Sequence, residues 1–192
     1  MGILFTNTLK FGPHCHQVQM KANQRCYLIR KCFPNSDSCA LHKAFIIYVR
    51  PLLEYASEVW NPYQVQDILS IESVQRSYTK RIPGLWSLTY EDRLLKLGLD
   101  TLEMRRAKID LKTCYKILND FTYYCPNDPI IKIKTSVKTR TSGSKLFWPT
   151  ASKNVRHHFF QARVGRAWNA LPLSTQQSPT LSLFSAKLNT MT

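Results

Sequence analysis

Apolar residues recur at helical intervals through most of the chain, and the breaks between runs fall at proline, glycine and short polar residues. Between His16 and Phe33, the positions Val18, Ala22, Ile29 and Phe33 share one side, while Lys21, Arg25, Arg30 and Lys31 sit mainly on others. That pattern predicts an amphipathic helix ended by Pro34. Ser36 or Ser38 is placed to cap a second helix through Ala44, Ile47, Tyr48 and Leu52. Pro51 lies inside it and predicts a kink, because proline withdraws a donor and crowds the preceding turn. Asn61 followed by Pro62 reads as the cap and first position of a third helix. It would carry Val65, Ile68, Ile71 or Glu72, and Gln75, and end at Pro83 and Gly84. Thr89 and Asp92 form a capping box with Asp in place of the usual Glu, ahead of a short helix that Gly98 closes at Leu97. Asp100 with Glu103 opens the helix predicted to be longest. There Met104, Ala107, Leu111, Cys114 or Tyr115, and Leu118 line one side, and Arg105, Arg106, Lys108, Lys112 and Lys116 occupy the rest.

Period-two alternation is confined to three short places. The opening GILFTNTLKF is β-branched and aromatic enough for a strand or hairpin, with Asn7 at the turn. IIKIKTSV and Lys145 to Trp148 alternate like two more strands around a Thr/Ser/Gly-rich basic loop. Phe159, Phe160, Val164, Ala167, Trp168 and Leu171 then precede Pro172, and Leu181, Phe184 and Leu188 mark a last short helix. The expectation is a mainly α fold: a helical bundle preceded by a short β-hairpin or strand and followed by a small α+β extension. The expected segments are 1–15 (strand-like opening), 16–120 (helical domain), 121–150 (basic linker with short strands) and 151–192 (C-terminal segment).

Charge narrows the picture further. Twenty-seven Lys and Arg against twelve Asp and Glu give a formal net charge of +15, the signature of a protein that meets polyanions. No acid follows Asp128, whereas Lys145, Arg156, Arg163 and Arg166 all do. Folding alone gives no reason to exclude acids, since mixed signs relieve self-repulsion. The six cysteines make no CxxC pair, and a reduced intracellular setting, nuclear or cytoplasmic, is expected. His14, Cys15 and His16 lack the second ligand pair that a zinc site needs, which Cys39 or His42 supplies only poorly. No apolar run approaches the roughly 20 residues that span a bilayer. There is no phosphate-cradling glycine loop, GxSxG or HExxH. Glu54 and Glu58 stand at helical spacing among Tyr55, Trp60 and Tyr63, with no third acid or base beside them. They read as scaffold, with Glu54 placed to pair with Arg50.

The stretches RPLLEYASEVWNPY, QDILSIESVQRSYTKRIPGL and SLTYEDRLLKLGLDTLEMRRAKIDLKTCYKIL, taken in order, resemble the C-terminal part of reverse transcriptases from non-LTR (LINE-type) retrotransposons of the jockey-like kind. GILFTNTLKFGPHCHQVQMKANQRCYLIRKCF is similar to the segment that leaves the palm sheet and enters the thumb in those proteins. FFQARVGRAWNALP with SPTLSLFSAKL resembles their closing segment. The resemblance implies that residues 1–15 are the truncated end of the palm sheet and residues 16–120 a thumb-like domain. The family's metal-binding aspartates, including a Tyr-x-Asp-Asp turn, are absent from this sequence. It implies a fragment without catalytic residues, inactive alone and without the Mg of the full-length enzyme, its missing partner being the fingers and palm. The implied residual role is non-specific binding of RNA or an RNA–DNA template–primer. Thumb helices hold a duplex by its phosphates, which singles out Lys21, Arg25, Arg76, Lys80 and Arg81. The acid-free tail adds Lys145, Arg156, Arg163 and Arg166, interleaved with Phe147, Trp148 and Phe159. The alternative is an inactive relic or a protein-interaction module with a basic surface.

Overall fold

A computed structural model describes residues 2–34, 37–119, 121, 131–133, 145–147 and 154–190. The fold is mainly α, as the periodicity predicts, and divides into two compact units, Met1–Arg106 and Ala107–Thr192. The division falls inside a helix, so it does not coincide with the change of character expected at residue 121.

The first unit begins with residues 2–11, which form a turn and no strand. Leu9 N–H donates to Thr6 O at 2.9 Å and Leu9 adopts φ +53°, so the turn expected near Asn7 forms without its ladder. Ile3 and Phe11 rest on the core, while Leu4, Phe5 and Leu9 are exposed. An isolated hairpin of this length does not hold itself together in water, and among the described residues no neighbouring strand is offered. Helix α1 (Gly12–Cys32) is the longest among the described residues, where the sequence points to the helix after Asp100. Pro13 in its first turn removes a donor that has no partner there anyway. Val18, Ala22, Cys26 and Ile29 are buried in one stripe, but Phe33 lies beyond it and is exposed.

Asp37, rather than Ser38, caps α2 (Ser38–Ala44): its carboxylate accepts from Ala40 N–H at 2.7 Å, and Ser36, the other candidate, lies outside the described residues. A π-helical turn (Phe45–Val49) follows and leads into α3 (Arg50–Glu54), with Pro51 in the first turn of α3. In α register Pro51 would face the carbonyl of Ile47 without a proton to give. The wider turn, with Arg50 N–H returning to Phe45 O, shifts the pairing by one residue and relieves that conflict. It also resets the buried stripe to Leu41, Phe45, Val49 and Leu53, leaving the predicted Ile47 and Tyr48 exposed. Tyr55 and Ala56, the latter left-handed at φ +52°, join α3 to the single turn α4 (Ser57–Trp60). Trp60 is fully buried and donates its indole N–H to Tyr55 O at 2.8 Å.

Helix α5 (Val65–Lys80) starts after Gln64, three residues later than Asn61 and Pro62 predict. The side-chain oxygen of Asn61 instead accepts from Arg106 Nε at 3.0 Å. Ile71, Val74 and Tyr78 face the core, and Tyr78 Oη donates to Leu41 O at 2.8 Å. Helix α6 (Tyr90–Leu97) has the predicted ends: Thr89 Oγ1 accepts from Asp92 N–H, and Gly98 closes it at φ +60°. The Glu72 carboxylate, nearly buried, accepts from Tyr90 Oη and from Leu102 N–H at 2.9 Å, so it ties α5 to α6 and to the start of α7 (Leu102–Leu118). Arg106 and Lys108 are buried and Met104 is exposed, the reverse of the predicted faces in the first half of α7.

In the second unit, Leu111, Cys114 and Tyr115 of α7 meet α9 (Phe160–Ala170) and α11 (Leu181–Asn189) in a core with Val164, Trp168, Phe184 and Leu188. Tyr115 and Phe184 stack with ring centroids 4.6 Å apart, and Tyr115 Oη donates to Ser178 O at 2.6 Å. The strand signals survive as β1 (Lys132–Ile133) and β2 (Leu146–Phe147), antiparallel with Lys132 opposite Phe147. The side chain of Asn169 bonds both Leu146 N–H (2.9 Å) and Leu146 O (3.1 Å), acting as one more strand residue and fixing β2 to α9. Two single turns complete the unit, α8 (Asn154–His157) and α10 (Leu173–Gln176).

Candidate nucleic-acid interface

Helices α1 and α5 pack side by side and run parallel. The side of Gly12 faces the Asp67 carboxylate, and seven residues on, Gln19 Nε2 donates to Ser73 Oγ at 3.1 Å. Their C-terminal halves therefore lie level with each other. Burial pushes the Cys26 thiol up to about 11, against the opposing pull of the Arg30 and Arg81 guanidiniums. Arg30 in the last turn of α1 and Arg81 just past the end of α5 therefore stand at the same end of the pair. No residue of α1 is acidic, and none from Ser73 to Tyr90 is either. The acids of α5 lie elsewhere, Asp67 at the opposite end and Glu72 buried. The pair is electrically polarised along its length.

The cations singled out from the sequence do not form one row. At about 100° per residue, Arg30 shares the flank of α1 that carries Gln19, whereas Lys21 and Arg25 lie on the opposite flank. Both are exposed. Arg76 turns toward α6, its guanidinium carbon 4.4 Å from the centroid of the Tyr90 ring. Lys80 and Arg81 are exposed at the end of α5. Arg30 is the member that sequence reasoning passed over; its spacing from Gln19 and Asn23 on one flank carried the signal.

In the second unit, Lys145 and Arg156 are exposed. Arg163 is held inside the fold: Nε and Nη2 donate to the Asp110 carboxylate at 2.9 and 3.2 Å, and Nη1 to His158 O at 2.7 Å. That pairing takes Arg163 out of the candidate surface. Arg166 Nη2 donates to His157 O at 3.2 Å and Nη1 lies against His157 Nε2. Phe147 and Phe159 are 43% and 57% exposed, enough ring face for a base, and Trp148 lies outside the described residues.

Glu54 and Glu58 do not make an acid–base pair. Arg105 grips Glu54 with two parallel bonds, Nε to Oε1 and Nη2 to Oε2 at 3.1 Å, and Arg50 Nε stands 3.6 Å from Oε1. His14 is buried edge-on against Trp60 and accepts from Leu4 N–H at 3.2 Å. The neighbouring Cys15 thiol is pushed up to about 12, mainly by burial. Among the described residues no three His, Cys, Asp or Glu side chains converge as metal ligands, and no helix is long and apolar enough to cross a membrane.

No family model matches the chain, and no solved structure does. It is similar to uncharacterized protein B0403.1 of Caenorhabditis elegans, 26% identical over 132 residues. The match covers 67% of this chain and 66% of that protein, so the chain spans just under two thirds of its relative's length.

Proposed function

We propose that this chain is a thumb and post-thumb piece of a non-LTR retrotransposon reverse transcriptase, and that it binds RNA or an RNA–DNA duplex non-specifically by its phosphates. The observation that carries this reading is the polarised α1/α5 pair, whose level C-terminal ends bear Arg30, Lys80 and Arg81, with no acid in α1 or from Ser73 to Tyr90. Parallel helices presenting cations at one level suit a phosphate backbone, which is read by charge and spacing rather than by base identity. The ordered resemblance of the flanking motifs points to the same partner. On this reading the Mg-binding and catalytic groups belong to a fingers and palm portion outside this sequence.

The test is fluorescence anisotropy with an RNA–DNA duplex across a salt series. Affinity should fall steeply with salt, and replacing Arg30 and Arg81 with Gln should lower the log–log slope by about 1.5 to 2. Absence of binding at low salt, or affinity indifferent to salt, would sink the proposal.

One observation favours a second reading, a protein-interaction module. An apolar depression of about 200 Å³ lies among Phe33, Leu41, Ala44, Ile47 and Tyr48, with Lys43 at its side. Under that reading Ile47→Asp abolishes a protein contact and leaves nucleic-acid affinity unchanged.

A further inference from the structure

Two arginines one turn apart on α9 are treated differently by the fold. Arg163 meets a carboxylate, Asp110, and its charge is compensated. Arg166, three residues on, meets only His157 among the described residues: its Nη2 donates to the backbone carbonyl, and Nη1 lies against a ring nitrogen that can accept only while it is unprotonated. Among the described residues no carboxylate pairs with Arg166 or with Arg156 in the same turn. A neutral nitrogen is a weak partner for a guanidinium; a phosphate oxygen would replace it with a charge-assisted bond.

The surroundings favour an anion. Helix α9 begins at Phe160 without any side-chain cap, so the positive end of its dipole opens toward the same turn. The pKa of His158 is held below its ordinary value, first by burial and then by His157, Arg166 and Arg163. Among the described residues the charged groups at this turn are Arg156, His157 and His158 within it, Arg163 and Arg166 from α9, and Asp110 from α7, which already serves Arg163. Phe159, at the same turn, leaves more than half of its surface open.

We infer that the α8–α9 turn is a phosphate site for single-stranded RNA, in which Arg166 and Arg156 take a backbone phosphate, a base stacks on Phe159, and His157 takes up a proton as the phosphate displaces it from Arg166. This rests on the nucleic-acid reading and adds a site and a chemical signature to it. The imidazole is the side chain suited to such coupling, since it changes charge between about pH 5 and 8. Release from the guanidinium frees Nε2 to become a second donor to the phosphate, so binding and protonation reinforce each other.

The experiment is titration of the full chain with oligouridine at low salt. From about pH 8 to about pH 6 the affinity should rise about fivefold, with proton uptake seen calorimetrically as a heat that depends on the buffer. His157→Gln keeps an acceptor for Arg166 but does not titrate; it should abolish the pH dependence with an unchanged circular dichroism spectrum, while His158→Gln retains it. Binding without pH dependence, or pH dependence that survives in His157→Gln, overturns this site and leaves the salt-dependent reading intact. No binding at any pH overturns both.

Discussion

The contact between Glu54 and Arg105 joins residues 51 positions apart in sequence, and a double-mutant cycle tests what it contributes. The Glu54 side chain is 15% exposed, that of Arg105 26% and that of Arg50 21%, so the group is neither a surface pair nor a dry one. Exposed pairs contribute about 0.2 to 1 kcal/mol. Removing one partner of a buried pair costs about 3 to 5 kcal/mol, mostly by stranding the other charge. Two parallel charge-assisted bonds under partial screening place the coupling near 2 kcal/mol. The single substitutions should be unequal. Arg105→Gln leaves Glu54 with Arg50 3.6 Å away and should cost about 2 kcal/mol. Glu54→Gln leaves two guanidiniums facing each other, offset in part by Asp100; Arg50 is already held below its ordinary pKa by burial and then by Arg105. That variant should cost about 3 kcal/mol. Urea unfolding of the four proteins at neutral pH, followed by tryptophan fluorescence, gives the cycle. A coupling under about 0.5 kcal/mol, or Arg105→Gln costing more than Glu54→Gln, refutes the assignment of this contact as the anchor of α3 on α7.

Two further outcomes follow from burial. The folded pKa of His14 is lowered, first by burial and then by Lys21, so the unfolded chain takes a proton more readily. The His14 contribution is complete above the unfolded value of about 6.5 and is lost as pH falls below it. The urea midpoint should therefore drop on going from about pH 7.5 to pH 5.5, and His14→Gln should shrink that drop; an equal drop in the variant would overturn it. Burial raises the thiols of Cys15, Cys26 and Cys114, while Cys32 and Cys39 are exposed. Brief iodoacetamide treatment at about pH 8 should modify Cys32 and Cys39 and reach Cys15 or Cys26 only after unfolding. Labelling of either buried thiol in the native protein would contradict the packing of α1.

What could be read from the sequence depended on how local its cause was. Thr89, Asp92 and Gly98 act within a few residues of themselves, and the ends of α6 fall where they predict. Asn61 and Pro62 carry an equally good local signal, yet Asn61 is drawn away by Arg106, 45 residues further on. The stripe after Asp37 was misphased because period counting assumes a uniform helix, and the π-helical turn breaks that uniformity. Helical spacing points Arg106 and Lys108 outward, and the acid-free tail singles out Arg163. Arg106 and Lys108 are buried, and Arg163 is committed to Asp110, none of which composition could register. In the candidate interface the cations were identified, but their grouping was not. Only the parallel packing of α1 on α5 brings Arg30 level with Arg81 and separates them from Lys21 and Arg25.

The wide turn at Phe45–Val49 and Pro51 make a pair of compensating irregularities. The wide turn does two things at once: it spares the carbonyl behind Pro51 from the ring, and it phases Leu41 and Phe45 with Val49 and Leu53 on the same core. The dependence runs one way. Exchange of the proline would only return a donor and leave that phase intact, whereas removal of one residue from the turn would bring back the clash and swing the two halves of the stripe apart. The junction is thus intolerant of a change in length and tolerant of a change in side chain, above all at the exposed Ile47 and Tyr48.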